Sequence, residues 1–145
     1  MTTIGRKPAF GFMAAAGFGL LWNAYGVMQW TKSITATPDS LMTAGLSEAQ
    51  AAVMTSYPAW MTAAFAVGVF GGLAGSALLL MRHGLARPVL GVSLAAYVVL
   101  FVGDVTQGVF AAMGAPQVAV LSLVLVIAAG LFWLARPVKN LALAA

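Results

Sequence analysis

The sequence predicts an all-α fold: a four-helix transmembrane up-down bundle with a short periplasmic loop helix. Three observations carry this reading. Hydrophobic residues make up 62% of the 145-residue chain and charged residues 7%, against about 25% charged in soluble domains. Seven basic and three acidic side chains cannot cover a water-facing surface of this size, whereas lipid accepts the apolar excess. Four apolar runs each reach the roughly 20 residues needed to cross a hydrocarbon core about 30 Å thick. Finally, Pro8, Pro58, Pro88 and Pro116 stand at the starts of these runs, where a missing N–H costs a helix nothing.

The first span is expected over residues 8–30, after a polar lead, MTTIGRK. Its apolar run is too long for a typical signal-peptide core, and Asn23-Ala24-Tyr25 is a poor small-residue cleavage site. The stretch is therefore expected to remain as a membrane helix. Gly11, Ala15, Gly19 and Asn23 recur every four residues along one face.

The outer loop, 31–57, begins with TKSITATPDS, which reads as turn-like and polar. Ser47 and Gln50 then have the spacing of a capping box, so a short helix is predicted from Glu48 to Thr55. Its Ala51, Ala52, Val53 and Met54 are apolar enough to lie on the bundle, and Tyr57-Pro58 ends it.

The second span, 58–81, carries Ala64, Gly68, Gly72 and Ser76 at four-residue spacing, with Ala63, Gly71 and Gly75 in a neighbouring row. Small residues let helix backbones approach where no hydrophobic force drives them together. The Ala64–Gly68–Gly72–Ser76 face is expected to receive the Gly11–Ala15–Gly19–Asn23 face of the first span. A basic turn, Arg82 to Arg87, leads to the third span, 88–112. Gly114-Ala115 turns the chain into the fourth, 116–135, closed by Arg136-Pro137-Val138-Lys139.

Basic residues favour the cytoplasmic side of a membrane. With the N-terminus inside, Arg6, Lys7, Arg82, Arg87, Arg136 and Lys139 are cytoplasmic, and only Lys32 is outside, with Asp39 and Glu48. Both termini are thus predicted to be cytoplasmic, in a bacterial inner membrane. Trp22, Tyr25, Trp30, Tyr57 and Trp60 then gather toward the outer interface and Trp133 toward the inner one.

The chemical inventory is sparse. The chain has no cysteine and one histidine, His83, which sits in the basic turn. Disulfides, thiolate ligation and cysteine nucleophiles are excluded. No catalytic residue, metal site or cofactor is expected, and no phosphate-binding, dinucleotide or hydrolase motif occurs. The seven basic residues are too scattered for a nucleic-acid surface. Asp104 is the sharpest single feature. Counted from Pro88 at 1.5 Å per residue, it lies about 24 Å across the membrane, in the outer part of the core. Similar counting places Asn23, Thr62 and Ser122 at comparable depth and Gln107 one turn further out. These five residues form a candidate polar or transport layer, since intramembrane acids usually face a bundle interior or a wet cavity.

The stretches LLWNAYG (Leu20–Gly26) and GLSEAQ…SYPAWMTAAFAVGVFGGLAGSALLLMR (Gly45–Arg82) resemble a family of small four-helix bacterial inner-membrane proteins. Its pattern runs LWNxxG, LTPEQ, FPxW, then GVWGGxLGSxLLL, and its members are often labelled sugar transporters. The resemblance covers the first two spans, and the second half agrees in hydropathy and length. Val27-Met28-Gln29-Trp30 replaces the family's Tyr-Asp-Tyr, and Ala52, Val53 and Met54 replace loop-helix aromatics. No binding residue carries over from the family.

The sequence expectation for function is a non-enzymatic membrane protein with a structural or accessory role, packing with itself or within a larger membrane complex. The alternative is a small-solute or proton-coupled transporter or channel component using the layer around Asp104. The expected partners are the lipid bilayer and either a second copy or a larger assembly.

Overall fold

The computed structural model describes residues 2–135, with side chains from residue 10 onward. Arg136, Pro137 and Lys139 lie outside the described residues, as do the side chains of Arg6, Lys7 and Pro8. Within this range the elements are α1 (Thr2–Thr35), α2 (Pro38–Thr43), α3 (Glu48–Thr55), α4 (Ala59–Leu80), α5 (Ala86–Thr106), α6 (Val109–Met113) and α7 (Ala115–Ala135), with no strand among the described residues. Four segments are long and apolar enough to cross a membrane: Phe10–Thr35 of α1, and all of α4, α5 and α7. The chain is an all-α, multi-pass membrane protein built on a four-helix bundle.

In the bundle α4 packs between α1 and α5, and α5 packs against α7. At the end holding the α4–α5 turn, all four long helices share one core of Phe12, Ala16, Leu79, Ala86, Leu90, Leu131 and Ala135. The turn is pinned there by its arginines. The Arg82 guanidinium lies 5.5 Å from the Phe12 ring and that of Arg87 5.3 Å from the Phe132 ring, a contact that joins cationic and aromatic surface. At the opposite end the core is Met61, Ala64, Leu100, Val109 and Leu121, with α3 and α6 packed over it. No residue of α1 belongs to that second core.

The helix boundaries differ from the sequence expectation by more than two residues in four places. α1 runs to Thr35, and in its last turns the hydroxyls of Thr31, Ser33 and Thr35 donate back to the carbonyls of Val27, Trp30 and Thr31. It also starts at Thr2, so position 8 falls inside the helix. The TATPDS stretch is not a plain turn, because Pro38 opens α2 and Thr37 forms a reciprocal capping box with Ser40. The third span is interrupted: α5 stops at Thr106, Gly108 takes a left-handed φ of 76°, and the separate α6 follows. Glycine alone enters that region without a steric penalty. The loop helix α3 has the bounds Glu48–Thr55, capped by Ser47 and Gln50 at 3.1 and 3.0 Å.

The small-residue rows are shared among three helices. A β-carbon on Gly72 would collide with the Asn23 side chain of α1, and one on Gly19 would stand 2.9 Å from Ser76 Oγ. Gly68 instead faces α5, where a β-carbon would stand 2.6 Å from Tyr97 Cε1. Ala64 is buried in the core at the loop end, and Ala15 is half-buried. Gly11 is exposed, with nothing within 4 Å of a β-carbon placed on it. The buried row of α1 is therefore Phe12, Ala16, Gly19 and Asn23, rotated from the expected one.

Candidate functional site

The site is organised by one stripe of α5. Ala86, Leu90, Ser93, Tyr97, Leu100 and Asp104 are all buried, and their alternating spacing of four and three keeps them on one helical face. Three polar groups interrupt this stripe, and each is tied to another part of the chain. Ser93 Oγ donates to the Gly68 carbonyl at 2.6 Å. The Tyr97 hydroxyl donates to Asn23 Oδ1 at 3.1 Å, while Asn23 Nδ2 donates to the Gly19 carbonyl at 2.8 Å. At the loop end, Asp104 Oδ1 accepts from the Tyr57 hydroxyl at 3.1 Å and Oδ2 from Gln117 Nε2 at 3.2 Å.

A cavity of about 360 Å³ lies beside this stripe. Its walls are Trp22, Tyr25, Gly26, Gln29 and Ser33 of α1, Thr62, Phe65 and Val69 of α4, Tyr97, Leu100 and Asp104 of α5, and Gln117, Val120, Leu121 and Val124 of α7, with Met54 and Tyr57 above. α1 meets α7 near Gly19, where a β-carbon would stand 2.7 Å from Leu131 Cδ2. Nearer the loops the cavity separates the two helices. Its rim residues Tyr25 and Val120 are 50% and 56% exposed, so the cavity opens sideways between α1 and α7. Asp104 itself is fully buried. It sits in the wall behind Tyr57 and Gln117, which are its two hydrogen-bond donors.

Of the five residues of the expected polar layer, Thr62 and Asp104 line this cavity. Asn23 is buried next to it and is spent on Tyr97 and Gly19. Gln107 is exposed and lines a separate crevice with Ala52, Val53, Ser56 and Val109. Ser122 is half-buried on α7 and does not line the cavity. Depth alone had grouped them, and depth says nothing about azimuth. Three residues absent from that layer do join the site. Tyr97 was legible in principle, since it lies two turns before Asp104 on the same face. Gln117 stands in the first turn of α7, and Tyr57 had been assigned only to the interfacial aromatics.

No known family model, curated protein or solved structure matches this chain. The chemistry of the site therefore has to be read from its own side chains. Among the described residues no group of three or more His, Cys, Asp or Glu side chains is placed to hold a metal. Among those lining the cavity there is one carboxylate, Asp104, and no Lys, Arg or His. A carboxylate at the membrane centre costs about 2.5–3.5 kcal/mol on insertion scales, and less toward an interface. The two neutral donors offset part of that cost. Burial, and secondarily the neighbouring Asp104, hold the Tyr57 hydroxyl above its ordinary pKa, so this donor keeps its proton.

Proposed function

We propose that the protein is a non-enzymatic component of a small-solute or proton-coupled membrane transporter, in which the α1–α7 cavity gives a solute access to Asp104. One observation carries this reading: a fully buried carboxylate in the last turn of a membrane-length helix, in the wall of a side-opening cavity and with only neutral donors. Ionisable groups so placed face a pathway or exchange a proton or cation. A role limited to helix packing would not require a cavity at this position. Four membrane helices are few for alternating access, so the working unit of such a transporter is a homo-oligomer. The basic residues at the α4–α5 turn and the likeness of Leu20–Gly26 and Gly45–Arg82 to small bacterial inner-membrane proteins support an inner-membrane location with both termini cytoplasmic. The test is proton or solute flux into proteoliposomes, with the wild type active and Asp104→Asn inactive. Equal flux in both would refute the reading.

A structural or accessory role is the second reading. It is favoured by the interhelical polar contacts Tyr97–Asn23 and Ser93–Gly68, which are spent entirely on holding helices together. Purification in mild detergent separates the two: a stable larger complex supports the accessory role, and a symmetric homo-oligomer supports transport.

A further inference from the structure

We propose that the α1–α7 cavity selects small organic cations, specifically ammonium ions carrying an aryl or alkyl body. This rests on the reading of the cavity as a solute site and adds the class of solute.

The charge balance gives the sign. Asp104 is the one carboxylate of the cavity wall, and no basic side chain among the described residues lines it. An anionic solute would meet an acid and no counter-charge. A cation supplies the charge that the wall lacks, in surroundings of low dielectric where the attraction is only weakly screened. A carboxylate has about four acceptor positions, and Asp104 uses two of them, for Tyr57 and Gln117. Both donors are neutral and both line the cavity. An ammonium N–H offers a charge-assisted bond, roughly twice as strong as a neutral one, and can replace either donor.

The remaining wall fits the body of such a solute. The rings of Trp22, Tyr25, Tyr57, Phe65 and Tyr97 all line the cavity, and aromatic faces attract cations. The α7 side is aliphatic, through Val120, Leu121 and Val124. Gln29, Ser33, Thr62 and Gln117 could pair some hydroxyl groups of a hexose, but those turned to the aromatic and aliphatic surfaces would stay unpaired, which is costly. The volume, about 360 Å³, falls at the lower end of ordinary ligand pockets, about 300–1,000 Å³.

The test is equilibrium dialysis of the full chain in lipid nanodiscs against radiolabelled phenylethylammonium, 2-phenylethanol and D-glucose, with protein-free nanodiscs as the blank. The first two probes share a ring and a chain length and differ in charge. The expected result is that the ammonium binds at least about tenfold more tightly than the alcohol, a free-energy margin typical of one good polar contact, and that Asp104→Asn brings it down to the level of the alcohol. If the alcohol binds as tightly as the ammonium, or glucose binds more tightly, the cation inference is overturned and the cavity stands as a solute site of another class. If none of the three binds to folded protein, both the inference and the solute-site reading fail. Should Asp104→Asn not fold, the ratio between ammonium and alcohol on the wild type decides alone.

Discussion

The Tyr57 hydroxyl donates to Asp104 Oδ1 across 47 positions of sequence, at 3.1 Å. This contact fastens the segment between α3 and α4 to the carboxylate of α5. It also holds Tyr57 in the cavity wall. Tyr57→Phe removes the donor and keeps the ring, and is expected to lower stability by about 1–3 kcal/mol, since it strips a hydrogen bond from a buried acceptor. Thermal unfolding in detergent measures this. The same contact has an alkaline signature. The Tyr57 hydroxyl is held above its ordinary value of 10.0, so above that pH the unfolded chain loses a proton that the folded chain keeps. Stability from this group is complete below about pH 10 and falls as the pH rises further. The wild type should lose its advantage over Tyr57→Phe in that range and not below it.

Gly72 of α4 faces α1, and a β-carbon there would collide with Asn23. Gly72→Ala is expected to destabilise by about 1–3 kcal/mol through overpacking. Gly11→Ala, in the open space at the other end of the expected row, should leave stability unchanged or raise it slightly. Paired unfolding curves of the two variants measure the contrast. Equal effects would mean that α1 packs through its Gly11 face.

Asn23 and Tyr97 bind each other inside the bundle. Asn23→Ala leaves the Tyr97 hydroxyl buried without that acceptor, and Tyr97→Phe leaves Asn23 Oδ1 without that donor. Their double-mutant cycle should give a coupling of about 0.6 kcal/mol and no more than about 1.7, the average and the maximum for interhelical hydrogen bonds in a membrane. A coupling of zero would show that the two side chains do not meet.

Much of the fold was legible because lipid imposes simple rules. Apolar length, the prolines near the starts of α4, α5 and α7 and the Ser47–Gln50 box needed no tertiary information, whereas Pro8 lies inside α1. The break after Thr106 was hidden because residues 107–113 stay apolar enough to continue a span, and only Gly108's left-handed backbone ends it. α2 was missed because its cap uses Ser40 where the usual pattern has Glu or Gln. Within the site, rise per residue grouped Asp104 with Asn23 over a span drawn to residue 112, but α5 ends at Thr106, and such counting does not say which neighbours a side chain faces. Gln107, expected one turn further out, lines another crevice. Tyr57 and Gln117 lie outside or at the edge of the apolar runs, so a search confined to span interiors passes over the two donors that hold Asp104.

The orientation proposed from the basic residues is checked by single cysteines, since the natural chain has none. Cysteine in place of Gly45, between α2 and α3, should react with an impermeant thiol reagent added outside intact cells. Cysteine in place of Gly84, in the α4–α5 turn, should react only after the cells are opened. The reverse pattern would invert the topology.

The most direct measurement of whether the cavity leads to Asp104 is the thiol reactivity of Asp104→Cys beside that of Ser93→Cys. Both positions are buried on the same face of α5, but only the first borders the cavity. The reagent is methyl methanethiosulfonate, small and neutral enough to reach a side opening from water or from lipid. The expected result is modification at position 104 in the folded protein and none at position 93. A cysteine at 104 that stays as unreactive as the one at 93 until the protein is denatured would contradict solute access to Asp104.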